Sequence, residues 1–186
     1  MESNIFKAHR KSHIEIGTLY FWTVTINKWQ RLLADDDFKK IILSSLQYLS
    51  DTGKMDVYAF VIMPNHIHLI LRTNQLNGKE SVQGAFLKYT SHEFKKLLKI
   101  KDPTGLENFK ISLADRTYEF WQRDPLAIPL FTKEVAYQKM DYIHNNPLAE
   151  HWNLAKHPNA YPFSSSAYYE IQDLSYPFLK DLRDFF

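Results

Sequence analysis

The sequence contains no cysteine. That excludes a disulfide scaffold and a thiolate zinc site, and it fits a reducing, cytoplasmic setting. Glycine is scarce, with five residues in 186, and no Gly-rich phosphate loop occurs. No run of about 18 apolar residues is present, so no membrane-spanning helix is expected. Residues 1–13 lack the apolar stretch of a signal peptide. Internal repeats and low-complexity tracts are absent as well. Net charge is only +2, whereas a protein that grips nucleic acid by charge alone is usually more basic. What remains is an ordinary globular composition, 45% hydrophobic and 24% charged, with aromatics high at 15%. The length predicts one domain with a substantial core.

Periodicity then orders the chain. In residues 18–27, Tyr20, Trp22, Val24 and Ile26 alternate with Phe21, Thr23 and Thr25, the period of a strand. From 36 to 49, Phe38, Ile41, Ile42, Leu46 and Leu49 recur at helical spacing behind acidic Asp35–Asp37. Residues 57–63 and 66–72 form a second β region broken by Pro64-Asn65. A long helix is predicted over 81–101, with Leu87, Thr90, Phe94 and Leu98 on one stripe, stopped by Asp102-Pro103-Thr104-Gly105. A short β-like segment follows at 118–121. A last helix is predicted over 132–146, capped by Thr132 and ended by Pro147. The tail beyond Tyr161 is aromatic and irregular. The sum is an α+β sandwich, one sheet with helices packed on it.

Two segments carry chemistry. In Tyr58-Ala-Phe-Val-Ile-Met-Pro-Asn-His-Ile-His-Leu-Ile-Leu71, strand alternation puts His66 and His68 on one side, about 7 Å apart along the chain. Ile67, Leu69 and Leu71 take the other. Two neutral imidazoles on a rigid strand are half of a metal site, although such a pair can equally cap a strand. A zinc peptidase would need His-Glu-x-x-His, and a two-histidine phosphoesterase a pair of His-x-Thr/Ser units; neither is present. In the last helix Ala136, Met140 and Ile143 face the core, while Gln138, Tyr142 and Asn146 share another edge. A phenol can attack phosphorus once deprotonated, and a carboxamide oxygen is a hard ligand for Mg or Mn. His144, two residues on, points away from Tyr142. Tyr137, with Asp141 four residues later, is a competing pair.

Taken together, the Met63-Pro-Asn-His-Ile-His string, Tyr142-Ile-His-Asn-Asn-Pro and Tyr161-Pro-Phe-Ser-Ser-Ser resemble the REP-associated tyrosine transposases. These belong to the single-tyrosine HUH (IS200-like) transposases. The resemblance covers roughly residues 19–169, including the stretches 86–96 and 120–123. It implies a ferredoxin-like antiparallel sheet with helices packed on one face. One domain is expected over 1–186, with an N-terminal arm at 1–16, a core at 17–169 and a tail at 170–186. His66 and His68 would hold a divalent metal, Mg or Mn, with Asn146 as third ligand and Tyr142 as nucleophile. The implied reaction is cleavage and rejoining of single-stranded DNA through a 5′-phosphotyrosine.

The implied partner is single-stranded or hairpin DNA, the protein acting as a monomer in preference to a homodimer. Lys88, Lys95, Lys96 and Lys99 on one helix face, with Arg10 and Lys11, are candidates for gripping it. Tyr161, Phe163, Tyr168 and Tyr169 could stack on bases or belong to the core. Residues 123–131 depart from the family pattern, leaving Asp124 as a conceivable extra ligand, and residues 102–108 are an unassigned insertion. A domesticated protein that binds or nicks repeat hairpins without transposition would share these motifs. A binding module would not need Tyr142, His66 and His68, and a hydrolase using water would not need Tyr142.

Overall fold

A computed structural model of the chain describes residues 14–112 and 117–186. Arg10 and Lys11 lie outside the described residues. The elements run β1 (Leu19–Thr25), α1 (Asp36–Asp51), β2 (Met55–Ile62), β3 (His66–Thr73), α2 (Val82–Lys101), α3 (Pro103–Leu106), β4 (Leu126–Pro129), α4 (Lys133–Asn145) and α5 (Ser166–Ile171). The strands form one sheet in the order β2-β3-β1-β4, each neighbour antiparallel. With α1 and α2 as crossovers, this is the split βαβ, ferredoxin-like arrangement. No helix among the described residues is long and apolar enough to cross a membrane.

Strand alternation sorts side chains between two cores. On one face Trp22, Val24, Ile67, Leu69 and Leu71 pack with Phe38, Ile42 and Leu46 of α1 and Phe86, Phe94 and Leu98 of α2. On the other, Leu19, Phe21, Val61 and Ile70 pack with Ala136, Met140 and Ile143 of α4. The helices, expected on one face, therefore cover both. The reason is that β2 is buried along its whole length and β3 along nearly all of it, so the second apolar face needs a cover of its own. On α2 the buried stripe runs through Phe86 rather than Leu87, in line with Thr90, Phe94 and Leu98 at four-residue steps.

The fourth strand also differs from expectation. It is β4, and the aromatic segment at 118–121 contributes only isolated bridges, Lys110 with Tyr118 and Ile26 with Trp121. Its rings are claimed elsewhere: Phe120 stacks on Phe109 at 4.7 Å, and Trp121 Nε1 donates to Thr90 Oγ1 at 3.0 Å. β4 pairs only with β1, an edge position that tolerates Pro129. Residues 102–108 form α3 and the start of a 3-10 turn, with Asp102 capping through the Gly105 amide at 2.9 Å. The C-terminal aromatics largely serve the fold. The hydroxyls of Tyr161 and Tyr169 donate to the carbonyls of Ile62 and Tyr58 at 2.8 and 2.7 Å, and Phe163 packs against both cores.

Candidate active site

The turn between β2 and β3 is tied down on three sides. Met63 N donates to His66 O at 2.8 Å, Ile26 N to Asn65 O at 2.8 Å, and Leu33 N to Pro64 O at 2.9 Å. The first residues of β3 are thereby fixed in register against Thr25 and Thr23 of β1. His66 and His68 share one face, both buried, with ring centroids 4.6 Å apart. α4 crosses this face. It is capped by Thr132, whose hydroxyl accepts from Val135 N at 3.3 Å, and it ends where Pro147 can no longer donate. Tyr142 leaves its exposed edge with its ring 5.3 Å from His68 and 6.0 Å from Phe21. A single chain thus supplies both the histidines and the tyrosine. The cleft they line holds about 560 Å³ and is bordered by Thr23, Thr25, Trp29, Asn65, Asn145, Asn146, Ala149, His151 and Trp152.

Hydrogen bonds set the direction of both imidazoles. Asn65 Nδ2 donates to the Trp29 carbonyl at 3.3 Å, so Asn65 Oδ1 is left to accept from His66 Nδ1 at 2.7 Å. That arrangement leaves the Nε2 lone pair of His66 free. His68 Nδ1 meets Thr23 Oγ1 at 2.7 Å, and His68 Nε2 has no partner. Among the described residues, His68 Nε2 and Asn146 Oδ1 are the only buried side-chain nitrogen or oxygen atoms without a hydrogen bond. Leaving such atoms unpaired costs on the order of 1–3 kcal/mol each, and both border one cleft. Burial pushes His66 down to about 4; the neighbouring Asn146 carboxamide opposes this without making a hydrogen bond of ordinary geometry, and His151 adds to it. Burial, then His66 and Lys139, pushes His68 down to about 3. Both rings are therefore neutral at pH 7, the protonation state a metal ligand needs.

The donor set fits a divalent cation. No group of three His, Cys, Asp or Glu side chains placed to share an ion occurs among the described residues. Among the described residues, the neutral Asn146 oxygen is unpartnered and borders the same cleft, where it is placed to join the two histidines.

The other candidates lie elsewhere. His144 is buried on the far side of α4, its Nε2 2.9 Å from Ser165 Oγ and its pKa pushed down to about 4 by burial. Tyr137 is half-buried under Lys133. Gln138 is exposed, and Asp124 sits at an exposed turn with φ 57°; neither borders the cleft. The lysines of α2 ride on the helix packed against the opposite face of the sheet. Lys95 lies over Tyr118 at 4.7 Å, Lys96 pairs with Glu93 at 2.7 Å, and Lys88 with Glu80 at 3.9 Å. Sequence reasoning passed over Thr23, Asn65, Trp29, His151 and Trp152. Thr23 and Thr25 did leave a signal, as the polar pair on the alternating strand that faces the histidines.

Residues 16–109, just over half of the chain, match the family model described as transposase, IS200-like. The chain belongs to the IS200-like transposase family. The matched span contains His66 and His68 and ends before Tyr142. Among solved structures, that of a REP-associated tyrosine transposase bound to a REP hairpin is similar. It has 18% identity over 89% of this chain and 86% of that one, with a TM-score of 0.57. The two share the fold. A candidate transposase from Deinococcus radiodurans R1 aligns with 17% identity over 68% of this chain and 88% of that one, with a TM-score of 0.37. None of the curated proteins compared with the chain matches it.

Proposed function

We propose that this transposase cleaves and rejoins single-stranded DNA by transesterification, with Tyr142 as nucleophile. His66 Nε2, His68 Nε2 and Asn146 Oδ1 would hold the divalent metal, Mg or Mn. The observation that carries the reading is the pair of unpartnered buried atoms, His68 Nε2 and Asn146 Oδ1, in the cleft that Tyr142 borders. When bound, the metal would supply Lewis acidity toward the scissile phosphate, undiminished by ligand charge because all three donors are neutral.

The protein's own groups account for the rest. The Tyr142 phenol loses its proton and attacks phosphorus. The DNA 3′ oxygen leaves and takes up a proton, and a 5′-phosphotyrosine forms. Attack of a 3′-hydroxyl on that linkage reverses the exchange, so one phosphodiester is traded for another without a nucleotide cofactor. Lys139 carries its ammonium 5.1 Å over the Phe21 ring, one turn before Tyr142, where it can offset charge gathering on the phenol or the phosphate. The His66–His68–Tyr142 set within one chain supports a monomer acting alone. The hairpin held by the similar structure supports hairpin DNA as the substrate class.

The test is a denaturing gel of the protein mixed with single-stranded hairpin oligonucleotides and Mn or Mg, run beside Tyr142→Phe. The expected result is a metal-dependent shifted band that the substitution removes. A band that survives in Tyr142→Phe moves the nucleophile elsewhere, with Tyr137 next to test. Cleavage with no adduct would make water the nucleophile.

A further inference from the structure

The mouth of the cleft carries an aromatic feature that the transesterification does not use. Trp29 is 61% exposed, although tryptophan is a residue that folding normally covers. It follows Lys28, and both sit in the left-handed region at φ 57° and 56°. Two successive non-glycine residues held there cost on the order of 1–3 kcal/mol each, and such strain gathers at binding sites. The Trp29 carbonyl explains part of the arrangement, because it orients Asn65 and through it His66. Any residue could supply that carbonyl. The indole ring itself makes no ring or cation contact among the described residues and borders the cleft. Trp152 borders the same cleft, half-buried, 5.9 Å from the His66 ring. The Arg31 guanidinium lies over Trp152 at 5.7 Å, and Arg31 forms no ion pair among the described residues.

We infer that Trp29, Trp152 and Arg31 form a nucleotide subsite, the indoles stacking an unpaired DNA base and Arg31 meeting the adjoining phosphate. Every base offers a π face, so indole planes hold single strands with little sequence preference. A guanidinium already lying over a ring remains free to form paired hydrogen bonds to a phosphate. The subsite lies beside the histidines, so the stacked base would belong to a nucleotide next to the reacting phosphate. The inference rests on the proposed substrate, single-stranded DNA.

Its test needs neither the metal nor the nucleophile. In a Tyr142→Phe background with EDTA present, a short oligo-dT and an abasic backbone of equal length are titrated at low salt while tryptophan fluorescence is followed. Trp22 and Trp121 are buried, so quenching reports on Trp29 and Trp152. Oligo-dT is expected to bind about tenfold tighter than the abasic strand, the order of one stacked base. Trp29→Asn keeps the left-handed backbone and the carbonyl but removes the plane, and should erase most of that preference; Trp29→Tyr should restore it. Equal binding of the two strands, binding of neither, or a preference untouched by both Trp29→Asn and Trp152→Leu overturns the subsite. So does a Trp29→Asn protein that loses only adduct formation in the Tyr142 parent, since the residue would then act through Asn65 alone. A chain that never forms an adduct can still pass this test, which separates the failure of one reading from that of the other.

Discussion

The two faces of the sheet are made by the same strands and do opposite things. On β3, Ile67, Leu69 and Leu71 enter a dry core against α1 and α2. His66 and His68, one residue out of phase, enter a cleft where imidazole and carboxamide atoms are buried without partners. Among the described residues, the face under α1 and α2 leaves no buried side-chain nitrogen or oxygen unpartnered, whereas the other face leaves two, against the rule that buried polar atoms find partners. Because the strand period is two, a slip of one residue would exchange the two faces. The rigid dry side therefore fixes the position of the strained one, and the site's cost is borne by the core behind it.

The sharpest way to break this comparison is to exchange the character of single positions on β3. His68→Leu removes an unpartnered buried nitrogen but also the partner of the Thr23 hydroxyl, so adduct formation should vanish while the stability of the metal-free protein stays within about 1 kcal/mol of the parent. Leu69→Ala, its neighbour on the dry face, should cost about 2–5 kcal/mol by opening a cavity, yet leave adduct formation intact at a temperature where the protein stays folded. Denaturant unfolding and the adduct gel measure both. A His68→Leu protein destabilised by more than about 2 kcal/mol, beyond what the lost Thr23 hydrogen bond accounts for, would mean that the ring is held by packing and not poised for a ligand.

Mild acid should act first through the buried histidines, before it reaches the Asp35 and Asp37 carboxylates that pair with Lys101 on the α1 and α2 side. Burial holds His66 and His144 at about 4 and His68 at about 3, against 6.5 for an ordinary histidine. The unfolded chain takes up these protons as pH falls through 6.5, whereas the folded chain resists until about 4. The contribution to stability is therefore complete above pH 6.5 and is lost between 6.5 and 4. The melting temperature should decline across that window, and His68→Leu should make the decline shallower. An unchanged melting temperature from pH 6.5 down to 4 would contradict the burial of these rings.

How much of this could be read from the sequence follows the same division. The histidine strand and the tyrosine helix were legible because each rests on a local period: two residues for His66 and His68, four for Tyr142 and Asn146. The ferredoxin-like order came from the family resemblance. β4 was not legible, being four residues long, ending in Pro129 and overshadowed by the more β-like Phe120 and Trp121, whose rings fill the α2 core. The second cover, α4, was recognised as a helix but not as the lid of a separate face. His151 and Trp152 left no signal because a loop folds them back: Leu154 N reaches Pro147 O at 2.9 Å and Trp152 N reaches Ala149 O at 2.8 Å. Such irregular turns have no period to read.

Behind the proposed ligands, Asn65→Ala should lower the affinity for Mn by about 10–100-fold, the usual effect of removing a partner that orients a metal-bound histidine. Its side chain touches both Trp29 and His66, so the loss should appear as a higher Mn concentration for half-maximal adduct, with the yield at saturating Mn nearly restored. A variant whose yield stays low at saturating Mn would show that Asn65 does more than orient the ring.

The smallest effects should come from the dry side's outer surface. The α2 lysines remain our proposal for gripping DNA backbone away from the cleft, as the stem of a hairpin would require. They are not equivalent. Lys95 is held over Tyr118 and Lys96 is engaged by Glu93, whereas Lys88 has only a distant carboxylate and Lys99 has no ion pair among the described residues. A cation already matched by a carboxylate has less to gain from a phosphate. Lys88→Ala and Lys99→Ala should each reduce the salt dependence of hairpin binding by about one unit of slope, with little change in how bound DNA reacts. Lys96→Ala should change it less. If all the substitutions leave the slope untouched, α2 is a solvated helix, and the whole DNA interface belongs to the face that carries the histidines.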